Sequence, residues 1–288
     1  MNYVCKMDLQ SLHKDFITSV QNIYEPGEAE NIWKLAAEHV LGSKTDLDHY
    51  TTIKPDEAQA KRFKNIQARL LQHEPIQYII NECWFYDIPF YVDSNVLIPR
   101  PETEELVDWI IRENKTHPQL TILDVGTGSG CIPVILKRKL PQAIVYSCDV
   151  SSKALHVARK NAIAHNTDIN FLHADFLNEQ SRQSLPEADI IVSNPPYIPV
   201  ADKNAMRKNV LDHEPHIALF VEDNNPLIFY DAIAKSGSYK LKPGGKIYVE
   251  IHEGLATGVI NLFTEKGYNT ELKKDMQGKD RMVKALRI

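Results

Sequence analysis

"TILDVGTGSGCIPVILKRKL", residues 121–140, decides the fold. An apolar, β-branched run closes on glycines at 126, 128 and 130, and a second apolar stretch with helical character follows at once. Glycine lets a backbone turn where a Cβ would collide and lets it approach a ligand closely, so the stretch predicts strand, tight turn and helix, with something bound at the turn. A dinucleotide fingerprint would set its last glycine at position 131, three after Gly128, where this chain has Cys131. Working outward, "AIVYSCDV", "INFLHADF", "ADIIVSNPP" and "GGKIYVEIH" read as further strands, and "SSKALHVARKNAIAHN" as an intervening helix. That alternation predicts βα units around a mainly parallel sheet, an α/β fold.

Upstream the texture differs, because residues 1 to about 80 carry helical signals only. "EAENIWKLAAEHVLG" sets Ile32, Leu35, Ala36, His39 and Val40 on one stripe and ends at Gly42, an expected C-cap. "KPDEAQAKRFKNIQARLLQHEP" opens at Pro55, lines a face with Phe63, Ile66, Leu70 and Leu71, and stops before Pro75. Alternating aromatic and β-branched residues after Ile76, broken by Asp-Ile-Pro, predict a short hairpin. The expected organisation is a helical domain over 1–80, a hairpin linker over 81–100 and an α/β domain over 101–288. "PRPETEE" reads as a helix start, with Pro101 in the first turn and acidic residues favoured by the helix dipole; neither Arg100 nor Glu102 is assigned a catalytic role.

Composition narrows the function classes. With 288 residues, 43% hydrophobic and 25% charged, the chain can bury real cores in about two domains. Its formal charge is −5, and nine basic stand against thirteen acidic residues through Asp87, so no broad phosphate-binding footprint is expected. The first residues lack a basic stretch followed by an apolar core, and no apolar run approaches the ~20 residues that span a bilayer, so a soluble, cytoplasmic protein with no membrane partner is expected. Cys5, Cys83, Cys131 and Cys148 are scattered, and Pro215 breaks "HEPH", His213 to His216, so no metal site is expected.

Asp-x-Gly-x-Gly-x-Gly resembles the turn of class I S-adenosylmethionine-dependent methyltransferases. In that setting Asp149, closing the next strand, is placed to accept from both ribose hydroxyls, while "HADF" offers Asp175 to an adenine amino group and Phe176 as a face for the ring. "NPPY", Asn194 to Tyr197, ends the fourth strand. Pro195 drives Asn194 out of the α region and Pro196 restricts Pro195 in turn, giving a stiff corner. On it the Asn194 side-chain carbonyl and the Pro195 main-chain carbonyl form a fixed pair of acceptors, which suits a planar NH2 group, with Tyr197 as an aromatic wall.

"EPIQYI", "FYDIPFYVDSNVLIPRPETEELV", "LDVGTGSG" and "SNPPYIP" together resemble the PrmC/HemK family of protein-glutamine methyltransferases, from about Glu74 to the C-terminus. The resemblance implies a seven-stranded, mainly parallel Rossmann-like sheet with an antiparallel last strand, which "RMVKALRI" suits, and a small helical N-terminal domain. It implies S-adenosylmethionine contacts at Gly126, Thr127, Gly128, Ser129, Gly130, Asp149, Asp175, Phe176 and Asn194. The substrate glutamine would be held by Asn194, Pro195, Pro196 and Tyr197, of which Asn194, Pro195 and Tyr197 form the expected catalytic set. The implied protein acts on the Gly-Gly-Gln loop of class-one peptide-chain release factors; a monomer without a direct nucleic-acid substrate is expected. Two departures stand out: Ile80-Asn81 where the family has glycine after "QYI", and "FVEDNNPL" in place of a glycine-rich run. A ribosomal-protein glutamine methyltransferase and an adenine amino-group methyltransferase on nucleic acid share the corner and remain as alternatives.

Overall fold

The structure, a computed structural model, describes residues 8–42, 54–117 and 119–287. The contacts divide the chain into two units, residues 1–81 with 207–213, and residues 82–206 with 214–288. Residues 207–213, which sequence spacing assigns to the α/β domain, therefore group with the helical unit. Cys5 lies outside the described residues.

In the helical unit, α1 (Leu9–Val20) is capped by Asp8, which accepts from Ser11 N at 2.7 Å. Helix α2 (Pro26–Leu41) ends on left-handed Gly42, and α3 (Glu57–Leu70) starts with a reciprocal Asp56–Gln59 capping box. Pro55 thus precedes the N-cap rather than opening the helix. Trp33 fills the centre, edge-on to Phe16 and stacked on Phe63 at 4.9 Å. The stripe on α2 is rotated from the expected one: Ala29, Ile32, Trp33, Ala36, Ala37 and Val40 are buried, whereas His39 is exposed. Likewise Leu70 is buried and Leu71 exposed. In both cases the larger ring or the neighbouring side chain claims the core and turns a polar or redundant position outward. Short α4 (Ile76–Ile80) closes on Asn81 at φ 55°. Asparagine tolerates this conformation, which explains how the chain does without glycine there.

The second unit opens with hairpin β1 (Cys83–Phe85) and β2 (Ile88–Phe90), turned by Tyr86 and Asp87, both at positive φ, the signature of a two-residue I′ connection. Helix α5 (Pro101–Asn114) follows with Pro101 at its first position. Then come β3 (Thr121–Val125), α6 (Cys131–Lys139), β4 (Ile144–Asp149), α7 (Ser152–Ala164), β5 (Asn170–His173), α8 (Glu179–Gln183) and β6 (Ala188–Ser193). After short β7 (Ile198–Pro199), α9 (Lys208–His213) and β8 (Phe220–Val221), the chain runs through α10 (Ile228–Lys240), β9 (Leu241–Glu250), α11 (Ala256–Glu265), β10 (Tyr268–Lys274) and β11 (Asp280–Arg287). The main sheet has seven strands among the described residues, ordered β10-β11-β9-β6-β3-β4-β5, with β11 antiparallel to both neighbours and the other pairings parallel.

Strand alternation feeds two cores. Ile122, Ile190, Val192, Tyr248 and Met282 face α5 and α6, while Leu123, Ile191, Ile247, Val249 and Val283 face α10 and α11. Both faces are covered, so the central strands read as continuous apolar runs instead of alternating patterns. The chain winds outward from β3 through β4 to β5, then reverses through β6 to β9. Between β3 and β6 it leaves the crevice at the carboxyl ends where ligands bind in such sheets.

The turn after β3 makes a stability prediction. At Gly130 φ is +81° and an added Cβ would stand 3.0 Å from Ala158 Cβ and 3.1 Å from Ala158 Cα. At Gly126, φ +77°, a Cβ meets nothing within 4 Å. Gly130→Ala should therefore cost about 2 kcal/mol or more, conformational strain plus overpacking, and exceed the cost of Gly126→Ala, which carries strain alone. Denaturant midpoints of the two variants, compared with the parent, check the ranking.

Candidate active site

The glycine turn is built from backbone hydrogen bonds. Gly126 N and Thr127 N both donate to Cys148 O, at 2.9 and 3.1 Å, and Gly130 N donates to Thr127 O at 2.9 Å. Asp149 braces it from the next strand: Oδ2 accepts from Gly128 N at 3.0 Å and Oδ1 from Ser151 N at 2.8 Å. Burial raises the Asp149 pKa, and those two N–H groups oppose the rise. Asp124 lies fully buried at the end of β3; Ser147 Oγ donates to its Oδ2 at 2.7 Å, and burial pushes its carboxyl up to about 7. Asp124 Oδ1 and Thr127 Oγ1 are buried without a hydrogen-bond partner.

Beside this turn lies a cavity of about 300 Å³, within the size range of small-ligand sites. It brings together Gly126, Gly128, Asp149, Asp175, Phe176, Asn194, Pro195 and Pro196, residues 70 positions apart at the extremes of that set. Phe176 is buried, whereas Asp175 is exposed and accepts from Leu177 N at 2.9 Å. Thr127, Ser129, Gly130 and Tyr197 are not among the lining residues. Gly130 packs on Ala158, and Ser129 O accepts from Asn161 Nδ2 at 2.8 Å. Tyr197 stands beside His252, ring centres 6.1 Å apart, and donates its hydroxyl to Glu250 Oε1 at 3.2 Å.

Several lining or supporting residues escape any local sequence pattern. Asn95, Val96, Leu97, Ile217 and Phe229 also line the cavity. The 95–97 segment is held by buried Glu214, which accepts from Ile98 N at 3.1 Å and pairs with Arg100. Arg100 thus has a structural role. Asn161, 1% exposed, accepts from Tyr91 N at 2.8 Å and donates to Tyr91 O and Ser129 O, tying the segment after the hairpin to the glycine turn. At the corner itself, Asn194 Nδ2 donates to Thr103 Oγ1 at 3.0 Å, and Thr103 donates to Glu250 Oε2 at 2.7 Å. Glu250 is 2% exposed, and burial pushes its carboxyl up to about 7. The one sequence signal for it was a glutamate ending the apolar run "KIYVE", a charge where the sheet should be dry.

Burial pushes the Cys83 and Cys131 thiols up to about 12 and raises Cys148 as well, so these cysteines are packing groups rather than nucleophiles. Among the described residues no group of three or more His, Cys, Asp or Glu is placed to hold a metal, and no helix is long and apolar enough to cross a membrane. The cavity wall itself presents carbonyl acceptors, the half-buried Asp149 carboxylate and an aromatic face.

Residues 106–214 match the family model of the methyltransferase small domain, and residues 22–80 that of the PrmC N-terminal domain. A release factor glutamine methyltransferase of Flavobacterium psychrophilum is 42% identical over 284 residues, covering 96% of this chain and 99% of its own length. One of Bacteroides thetaiotaomicron is 42% identical over 272 residues, covering 93% and 96%. Among solved structures, a methyltransferase from Pyrococcus furiosus shares the fold with TM-score 0.52 at 17% identity, covering 78% of this chain and 98% of that one. Two family models in tandem and full-length relatives at this identity place the chain in the PrmC/HemK family of protein-glutamine methyltransferases.

Proposed function

We propose that this enzyme transfers a methyl group from S-adenosylmethionine to the side-chain amide nitrogen of the glutamine in the Gly-Gly-Gln loop of class-one release factors, modifying the factors that end translation in the cytoplasm. The observation that carries the reading is the Asn194–Pro195 corner facing the same cavity as Gly126, Gly128 and Asp149. The donor set fits the cofactor: Gly126 and Gly128 leave open space where side chains would stand, Asp149 keeps free lone pairs beyond its two backbone bonds, and Phe176 offers an apolar face. Gly126 and Gly128 would hold the amino-acid end, Asp149 the ribose, and Phe176 with Asp175 the adenine. When bound, S-adenosylmethionine supplies an electrophilic methyl group on a sulfonium.

An amide nitrogen is a poor nucleophile because its lone pair is delocalised into the carbonyl. Asn194 Oδ1 and Pro195 O accept its two N–H bonds and hold it where the lone pair points toward the methyl group. As the N–C bond forms and the S–C bond breaks, the same two carbonyl dipoles stabilise the positive charge growing on nitrogen; one N–H proton then leaves to water. The acceptors are fixed before reaction, Pro195 by its ring and Asn194 by Thr103. No strong base is required. Flanking glycines make the substrate loop narrow enough to enter, and a protein partner supplies remote binding energy that a short peptide lacks.

A ribosomal-protein glutamine presents the same planar amide and is the second reading, but the relatives named above match this chain over nearly their whole length, helical domain included. The adenine reading lacks support from charge, since the chain is acidic overall.

Asp149→Ala should weaken S-adenosylmethionine binding by about 1–3 kcal/mol through lost ribose hydrogen bonds. Calorimetry on the folded variant checks this, and unchanged affinity removes Asp149 from the site. Asn194→Ala should lower the single-turnover methylation rate by roughly 10²–10³-fold while cofactor affinity stays within a few-fold. For the substrate, mass spectrometry of a release factor incubated with enzyme and cofactor should show one added methyl group on the Gly-Gly-Gln glutamine. An unmodified glutamine beside a methylated ribosomal protein or adenine would transfer the reading to that substrate.

A further inference from the structure

We propose that Thr103 is a positioning residue whose hydroxyl, locked onto Glu250, decides which end of the Asn194 amide faces the reacting nitrogen; this rests on the methyl transfer proposed above. The oxygen and nitrogen of an asparagine amide have nearly the same shape, so packing alone does not choose between two orientations related by a half-turn. The choice matters here. With Oδ1 toward the cavity the corner offers two acceptors to a substrate NH2; with Nδ2 there it sets donor against donor, and both the amide grip and the charge stabilisation are lost.

A chain of hydrogen-bond polarity settles the orientation from inside the protein. Glu250, once ionised, has no proton to give. Both groups that reach its carboxylate must therefore donate: Tyr197 OH to Oε1 at 3.2 Å and Thr103 Oγ to Oε2 at 2.7 Å. Having spent its only proton, Thr103 Oγ can only accept from Asn194, so the amide must turn Nδ2 toward it, at 3.0 Å, leaving Oδ1 as the acceptor. The groups facing Glu250 come from every element around it. Arg281 of β11 and the two hydroxyls favour the carboxylate, while burial and Glu102 of α5 oppose it. Tyr230 of α10 donates to the Glu250 main-chain carbonyl at 3.0 Å, fixing the strand end. Thr103 and Glu250 are both almost fully buried, so water does not compete for these bonds. The device spans three separate elements: the first turn of α5, the end of β9 and the corner after β6.

The test is run at pH 8, above the value of about 7 to which burial pushes Glu250. Thr103→Val keeps the shape and removes the hydroxyl; it should lower kcat for release-factor methylation roughly 10- to 100-fold, with cofactor affinity and substrate KM within about three-fold of the parent. Thr103→Ser restores the hydroxyl and should recover kcat to within about three-fold. A Val variant as fast as the parent, or a Ser variant as slow as Val, overturns the proposal. Should Val fail to fold, the unmodified protein supplies the decision: in side-chain amide NMR one Asn194 Nδ2 proton should exchange with solvent markedly more slowly than in an exposed asparagine, and equally fast exchange of both protons overturns the proposal. Absence of glutamine methylation by the parent enzyme would instead refute the substrate reading and leave the exchange result standing on its own.

Discussion

One carboxylate ties two edges of the cavity together with two hydrogen bonds. Asp149 takes the N–H of Gly128 with one oxygen and that of Ser151 with the other, so a single side chain at the end of β4 fixes both the glycine turn after β3 and the start of α7. An acceptor that is half-buried and already engaged on two sides has little freedom left, and its remaining lone pairs are presented in fixed directions. The turn beside it holds Gly126, Gly128 and Gly130 at φ 77°, 54° and 81°, and only glycine takes all three positions without strain.

The corner follows the same logic with donors and acceptors exchanged. Its carbonyls are held in place by proline rings on one side and by a hydroxyl on the other. Rigid polar groups in a dry setting do more per contact than mobile ones in water. Tyr197, whose hydroxyl turns to Glu250, belongs to this support rather than to the cavity wall.

What could be read from the sequence and what could not divides along contact distance. The glycine turn, Asp149, Phe176 and the Asn-Pro-Pro run were legible because each is a local backbone demand written in adjacent residues. Thr103, Glu250, Asn161 and Glu214 were not: their partners lie 91, 147, 70 and 116 positions away, and no periodicity reports a polar side chain buried for the sake of a distant one. The helical unit shows a milder version. Spacing found the helices, yet the stripe on α2 was misplaced because Trp33, seated between Phe16 and Phe63, outweighs Leu35 and His39. The reach of residues 207–213 back to the helical unit was likewise invisible, since α9 is six residues long and carries no buried residue of its own.

That last feature bears on how the chain is made. His213 Nε2 donates to Gln72 O at 2.9 Å, and Arg207 meets Glu28, so the helical unit draws on residues synthesised well over a hundred positions after its own core. A ribosome releases chain at about 5–20 residues per second, and domains otherwise fold as they emerge. Here the N-terminal unit can bury Trp33 early but completes its surface only after β3, β4, β5 and β6 have left the tunnel. Its maturation is timed by the catalytic domain, and a gene fragment ending before residue 207 would encode a helical unit lacking one of its own pieces.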